Sequence, residues 1–133
     1  MLSKVLISVG SGITIGFGIW HFFVPKIWKL YSYIEPSATE LIVAVRAINV
    51  FFSLSLILIG SANLIFCFGK NANQFSLLVI LMLTIILWTT RSIFQIIYPQ
   101  GSMNPFLQYA MLITFVVVTG LYIGSFILIL SSY

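Results

Sequence analysis

Four long apolar segments, separated by short polar connections, account for most of the chain. The segments cover residues 5–24, 40–68, 75–98 and 105–130. Each can cross a hydrocarbon layer about 30 Å thick, which takes about 20 apolar residues in helical form. Short connections favour consecutive helices that lie side by side and antiparallel. We therefore predict an all-α protein, a four-helix antiparallel transmembrane bundle, with residues 1–133 forming one integral membrane domain.

The composition supports a membrane protein and excludes several other classes. The chain is 61% hydrophobic and only 6% charged, and its mean hydropathy is +1.18, as expected for a multi-span protein. Its basic residues are not clustered on a polar surface, so the net charge of +4 does not indicate nucleic-acid binding. With one cysteine, Cys67, and one histidine, His21, the chain offers no metal-ligand cluster. We expect no metal and no cofactor.

Four spans place both termini on one face, side A, and the connections 25–39 and 99–104 on the other face, side B. Counting Arg46 and Arg91 at side B, the positive-inside rule favours a cytoplasmic side B. We expect the plasma (inner) membrane, with the termini opposite the Arg46/Arg91 face. Lysines and aromatic residues between positions 26 and 33 predict a segment at headgroup depth.

Two helix starts carry capping signals. Ser37 with Glu40 matches a capping box, which predicts Ser37 as the N-cap of the second helix. Asn104 followed by Pro105 predicts the start of the fourth helix, since proline is favoured in the first helical position.

Each helix also has one face of polar, small or aromatic residues at helical spacing, which we predict to point into the bundle. These faces comprise Gly10, Thr14, Gly18 and His21 in the first helix; Arg46, Asn49, Ser53 and Gly60 in the second; Thr84, Trp88, Arg91, Gln95 and Tyr98 in the third; and Gln108, Met111, Phe115, Thr119 and Tyr122 in the fourth.

Glycine pairs four residues apart predict close helix contacts. They are Gly12 with Gly16 in the first helix and Gly120 with Gly124 in the fourth. Small residues at this spacing allow a neighbouring helix to approach closely in a membrane.

The charged residue that least fits its surroundings is Arg91, which lies inside the third apolar segment. A charge at the centre of a membrane helix costs about 2.5–3.5 kcal/mol on insertion scales, so it normally faces a bundle interior. At a rise of about 1.5 Å per residue, Arg91 lies about 10 Å from side B, Arg46 about 9 Å and His21 about 6 Å. The second and fourth helices begin on side B, so their positive dipole ends favour an anion in this layer.

The polar residues of this layer predict a ligand site. Three roles for Arg46 and Arg91 stay open. They can bind an anionic ligand, extend to lipid phosphates, or hold the helices together through Asn49, Gln95 and a pair between Glu40 and Arg91. No nucleophile pattern is present, so we assign no catalytic residue. The predicted ligand-binding residues are His21, Arg46, Asn49, Arg91, Gln95 and Gln108.

Gly18, His21, Phe22 and Pro25 follow the spacing Gly-x-x-His-Phe-x-x-Pro. This resembles the signature at the end of the first helix in DoxX-like proteins, a superfamily of small four-span membrane proteins. Three further features are similar to DoxX-related families: Arg46 early in the second helix, Arg91 in the third, and the Pro-x-Gly turn 99–101. The resemblance implies a four-helix bundle and, for some members, an accessory role in membrane oxidoreductases.

The leading functional prediction is a membrane protein, not an enzyme, whose electropositive pocket binds an anionic amphiphile or lipid headgroup. Membrane lipids are thus its expected partners. One alternative is an accessory or scaffold subunit whose glycine faces dock a membrane protein partner or a second copy of the chain. Another is a small membrane enzyme or transporter that uses His21 as an acid or base.

Overall fold

The structure, a computed structural model, describes residues 1–132 and contains four long helices and one short 3₁₀ helix. All four long helices are long and apolar enough to span a membrane. The described residues form no β-strand. The predicted all-α class with four helices is therefore confirmed, and the chain is a small multi-pass membrane protein. The helices are α1 (Leu2–Ile27), α2 (Thr39–Phe68), α3 (Gln74–Ile97) and α4 (Pro105–Leu130), with the 3₁₀ helix at Leu30–Tyr33.

Within the bundle, α1 packs against both α2 and α4, and α3 packs against α4, whereas α2 and α3 form the smallest interface between neighbouring helices. Consecutive helices run in opposite directions. Near side A, the ammonium of Lys4 lies 5.6 Å from the centre of the Phe68 ring. At the same end, Gln74 Nε2 donates to the carbonyl of Ile129 at 3.2 Å, which joins the start of α3 to the end of α4.

One of the two predicted capping signals matches the structure. Asn104 is the N-cap of α4, and its side chain accepts a hydrogen bond from the Leu107 N–H. The capping box at Ser37 is wrong, because α2 begins at Thr39 with Ala38 as its N-cap and no side-chain cap. The Ser37 carbonyl instead accepts from the Thr39 N–H in a tight turn, which places Ser37 before the helix.

Most residues of the predicted inward faces lie inside the bundle. The exceptions are Arg46 and Tyr98, which are exposed, and His21, Asn49, Arg91, Gln108 and Thr119, which are half-buried. The fully or nearly fully buried members are Gly10, Thr14, Gly18, Ser53, Gly60, Thr84, Trp88, Gln95, Met111, Phe115 and Tyr122.

Hydrogen bonds between buried side chains join three helices at the centre of the bundle. Trp88 Nε1 of α3 donates to Thr14 Oγ1 of α1 at 3.1 Å. The same Thr14 oxygen lies 3.0 Å from the Tyr122 hydroxyl of α4, and the Tyr122 oxygen lies 3.3 Å from Ser11 Oγ. Polar atoms in hydrocarbon must find partners within the protein, so this network selects one arrangement of α1, α3 and α4.

Two glycines allow the close approach of α1 and α2. A Cβ added at Gly18 would lie 2.9 Å from the carbonyl oxygen of Ser53 and 3.0 Å from the Cβ of Leu56. One added at Gly60 would lie 2.7 Å from Ile15 Cγ1. Neither glycine belongs to the pairs that the sequence motifs singled out.

The glycine pairs predicted to pack the helices do not form close contacts in the bundle. No atom lies within 4 Å of a Cβ built at Gly12, Gly16 or Gly120, and Gly124 meets only Leu6 at 3.5 Å. The prediction is therefore wrong for contacts inside the bundle. Its physical reason is angular: two residues turn an α-helix by about 200°, so positions two residues from the buried face point outward.

We expect Gly18→Ala to destabilise the bundle by about 1–3 kcal/mol, the usual effect of overpacking, because its methyl group meets backbone. Gly12→Ala is the matched control, and there the methyl group meets open space. The control is expected to be neutral or stabilising, since alanine favours helix more than glycine does. Unfolding in mixed detergent–SDS micelles, followed by tryptophan fluorescence, measures both, and equal stability of the two variants would contradict the assigned contact.

Candidate functional site

The Arg91 guanidinium is half-buried and contacts three side chains. Its Nη1 donates to Gln95 Oε1 at 3.4 Å, one turn further along α3. Its Nη2 donates to Gln100 Oε1 at 2.5 Å, in the turn that follows the helix. The carbon of the guanidinium lies 4.5 Å from the centre of the buried Phe115 ring of α4, a distance at which a cation is attracted to the face of an aromatic ring.

No carboxylate of the described chain neutralises this charge. The sequence contains two acids, Glu35 and Glu40, and both are exposed. Within residues 1–132 no side-chain nitrogen of a basic residue lies within 4.0 Å of a carboxylate oxygen. The predicted pair between Glu40 and Arg91 is thus wrong, since Glu40 lies on an exposed part of the first turn of α2 while Arg91 faces Phe115 of α4. The partners of the Arg91 guanidinium are therefore two neutral amide oxygens and one aromatic ring.

Gln95 holds the turn that follows α3 against the end of the bundle. It is 2% exposed, and its Nε2 donates to the Gln100 carbonyl at 2.9 Å. In return, the Gln100 N–H donates to Gln95 Oε1 at 3.4 Å. The chain reverses at Gly101, whose φ of 80° is readily adopted only by glycine. These bonds place the Gln100 side chain over Arg91.

Gln100 is a site residue that the sequence reasoning missed. The sequence offered one signal for it, the Pro-x-Gly turn 99–101 that directly follows the third apolar segment. A turn that tight returns its middle residue toward the end of the helix it follows. Helical spacing could not reveal this, because Gln100 lies outside any helix.

On the other side of the site, His21 is oriented by α2. The Ser53 hydroxyl donates to the Asn49 carbonyl at 2.6 Å, which uses its one proton. His21 Nδ1 lies 3.3 Å from the Ser53 oxygen and therefore donates to it. In the neutral imidazole this leaves Nε2 as the acceptor. The Asn49 side chain is tied to α1 by a 3.5 Å hydrogen bond from Nδ2 to the Phe22 carbonyl.

Two predicted site residues lie apart from this group. Arg46 is exposed, and its guanidinium lies 5.7 Å from the centre of the Tyr31 ring in the 3₁₀ helix. Its long side chain can reach the membrane interface from a depth of about 9 Å. Gln108 is half-buried on α4 and makes no side-chain hydrogen bond to a described residue. The structure gathers His21, Asn49, Arg91 and Gln95 at one end of the bundle, together with Gln100.

An open cavity of about 360 Å³ lies on side B between α1, α2 and the turn after α3. Its walls are mainly apolar, and three polar side chains converge on it, as is common in ligand sites. Arg91 reaches the wall of the cavity through its hydrogen bond to Gln100. The lining residues are Trp20, His21, Val24, Pro25, Trp28, Leu30, Val45, Ile48, Asn49, Gln100, Gly101 and Met111.

Comparisons with protein-family models, with curated proteins and with solved structures give no match for this chain. The resemblance to DoxX-like proteins stays a prediction that rests on the motif residues alone.

We expect Gln95→Leu to destabilise the protein by about 1–3 kcal/mol, because it removes the shared acceptor of two partly buried donors. The affected groups are the Arg91 guanidinium and the Gln100 N–H. Gln108→Leu is the matched control, since the Gln108 side chain has no such partner within residues 1–132. Equal unfolding free energies for the two variants in detergent would show that Gln95 does not hold the turn.

Proposed function

We propose that this membrane protein binds the anionic head of an amphiphile in the side-B cavity, with Arg91 as the principal positive charge. The observation that carries the proposal is a half-buried arginine that has no carboxylate partner within residues 1–132. An unpaired charge in a low-dielectric site is strongly unfavourable. An anion from outside the chain would remove that penalty.

The position of Gln100 supports an exchangeable partner. Gln100 is exposed, and its neutral Oε1 accepts from Arg91 Nη2 at the cavity wall. The guanidinium has further N–H groups that no described residue accepts. A carboxylate or phosphate oxygen forms stronger, charge-assisted bonds with arginine than an amide oxygen does. The Gln100 oxygen thus stands where an anionic oxygen would bind.

The remaining polar groups suit the recognition of a head group. His21 Nε2 can accept a hydrogen bond from a ligand hydroxyl, since Nδ1 is engaged by Ser53. Asn49 adds an amide to the same wall. Trp20 and Trp28 pack edge-on with their ring centres 6.0 Å apart and give the cavity an aromatic side suited to the membrane interface.

A purely structural role is the competing account of Arg91. Its hydrogen bonds to Gln95 and Gln100 and its contact with Phe115 hold α3 against α4. This account gives no reason for the open cavity next to the arginine, nor for the missing countercharge. For Arg46 the exposed position favours contact with lipid head groups.

The accessory-subunit alternative is favoured by one observation, the outward-facing glycines. Gly12, Gly16 and Gly120 have open space around them, which would allow close approach of a helix from another protein. A partner that stays bound after Gly16→Leu would count against this role.

The test of the proposed function compares two charge-removing variants. We expect native mass spectrometry of the wild-type protein, released from mild detergent, to show a retained anionic amphiphile. Arg91→Gln should lose it, because the charge-assisted bonds are removed. Arg46→Gln, the matched control, should keep it, because Arg46 lies outside the cavity.

Retention by Arg91→Gln at the wild-type level would refute the proposed function. Circular dichroism and elution volume establish that the variant remains folded, and Arg91→Lys, which keeps the charge, should retain part of the bound amphiphile.

A further inference from the structure

The connection between α1 and α2, residues 28–38, crosses side B as a strap that includes the 3₁₀ helix Leu30–Tyr33. No residue of the strap belongs to the buried core. Its backbone hydrogen bonds close on the strap itself or on the adjoining helix ends, as from the Ser32 N–H to the Lys29 carbonyl at 2.9 Å. Within residues 1–132 no hydrogen bond joins the strap to α3, to α4 or to the turn between them. The strap is thus a separate unit that lies over the end of the bundle.

The strap separates two cavities on side B. Trp28 and Leu30 line the inner cavity, the one proposed above to hold the anionic head. The same two side chains line an outer cavity of about 430 Å³, between the strap and the turn that leads to α4. The walls of the outer cavity include Tyr33 and Met103, which are 74% and 91% exposed. The strap therefore forms the wall between an exposed entrance and the inner cavity.

The backbone of the strap is strained at one residue, and one side-chain contact ties the strap to α2. Lys29 has φ 50° and ψ 42°, the left-handed conformation, which lysine rarely adopts. A residue stays in such a conformation only while surrounding contacts hold it there. The contact with α2 is made by Tyr31, whose ring centre lies 5.7 Å from the Arg46 guanidinium. A cation at this distance is attracted to the face of the ring.

We propose that the strap is a lid over the inner cavity, with Lys29 as its hinge and the contact between Arg46 and Tyr31 as its latch. The lid regulates access to the site of the proposed function, on which this inference rests. When the latch opens, Lys29 returns to a common backbone conformation and Leu30 leaves the wall between the two cavities. Trp28 precedes the hinge and stays with α1. The two cavities then form one path from the membrane interface to the polar wall of the site.

A contact between a cation and an aromatic ring suits a latch that opens often. At an exposed position it is weak, and Arg46 is exposed and has no carboxylate within 4.0 Å in residues 1–132. The latch also gives Arg46 a role, although its side chain lies outside the inner cavity. Because the strap is closed both before and after an anion binds, a broken latch speeds entry and exit alike. The bound fraction at equilibrium then stays the same, as expected above for Arg46→Gln.

The test measures how fast a reagent from the water reaches the inner cavity. The reporter is Val45→Cys in the full chain with Cys67→Ala, because Val45 lines the inner cavity and not the outer one. The probe is sulfonatoethyl methanethiosulfonate, an anionic thiol reagent that does not enter hydrocarbon, applied to the protein in phosphatidylcholine nanodiscs. Mass spectrometry follows the modification over time. A second reporter, Thr39→Cys, is exposed and outside both cavities, and it gives the rate for a freely accessible thiol.

We expect Tyr31→Ala to raise the modification rate of the Val45→Cys reporter by about two- to fivefold, the factor that corresponds to an exposed cation–π contact. Arg46→Gln should raise it by a similar factor, and the two changes together should add little, because both remove the same contact. Tyr33→Ala is the matched control, since it removes a tyrosine of the same 3₁₀ helix and leaves the latch in place. The rate of the Thr39→Cys reporter should be the same in every variant.

Two results would overturn the inference, and they separate it from the proposed function. Equal rates in Tyr31→Ala and Tyr33→Ala would show that the strap is a fixed interfacial anchor. Fully additive effects of Tyr31→Ala and Arg46→Gln would show that the two residues do not act as one latch. Either result, in a protein whose bound anion depends on Arg91, leaves the proposed function intact. A rate that responds to the latch, in a protein that retains no anion, would support the lid and contradict the proposed function.

Discussion

The arrangement of side B depends on the desolvation of one guanidinium. Arg91 is half-buried in a segment that otherwise suits hydrocarbon, and its partners are two glutamine oxygens and one aromatic ring. Each of these neighbours reduces the cost of burial, but none supplies negative charge. Because a buried charge with neutral partners keeps most of its desolvation penalty, we propose an anion as the missing partner. The turn 99–101 and Gln95 lie next to this guanidinium, and the open cavity adjoins it through Gln100.

A second constraint is that hydrocarbon supplies no hydrogen-bond partners, so the polar groups inside the bundle must satisfy one another. At the centre of the bundle, the side chains of Trp88, Thr14 and Tyr122 bond to one another. Nearer side A, Asn63 Nδ2 donates to Thr84 Oγ1 at 2.8 Å. Asn63 Oδ1 is the exception, a fully enclosed acceptor without a partner in the described chain. The Trp88–Thr14–Tyr122 bonds join α1, α3 and α4, and Arg91 of α3 faces Phe115 of α4 in the same bundle.

Helical periodicity was sufficient to predict the four helices and most of their buried faces. Thr14, Thr84, Trp88 and Tyr122 all lie inside the bundle, as their spacing indicated. The same reasoning failed where direction, rather than spacing, decides the contact. Gly12 and Gly16 form a good small-residue motif, yet they lie on the side of α1 opposite to Gly18, which carries the contact with α2.

The candidate site was predictable in depth but not in detail. Counting residues from side B placed Arg46, Arg91 and His21 in one layer, and a layer does not specify where around the bundle each side chain points. Arg46 turns outward to Tyr31, while Arg91 turns inward. Gln100 could not be found by helical spacing, because its role depends on a turn held by Gln95. Long flexible side chains and turns are the parts of a membrane site that periodicity describes least.

The most direct test of the central claim is an experimental density map of the protein purified in nanodiscs of its native lipid. The account predicts non-protein density with an acidic head group about 2.7–2.9 Å from the Arg91 guanidinium, the usual length of a charge-assisted hydrogen bond. A map in which a carboxylate of the protein itself, such as Glu40, occupies that position would contradict the account. So would a well-resolved guanidinium surrounded by Gln95, Gln100 and Phe115 alone.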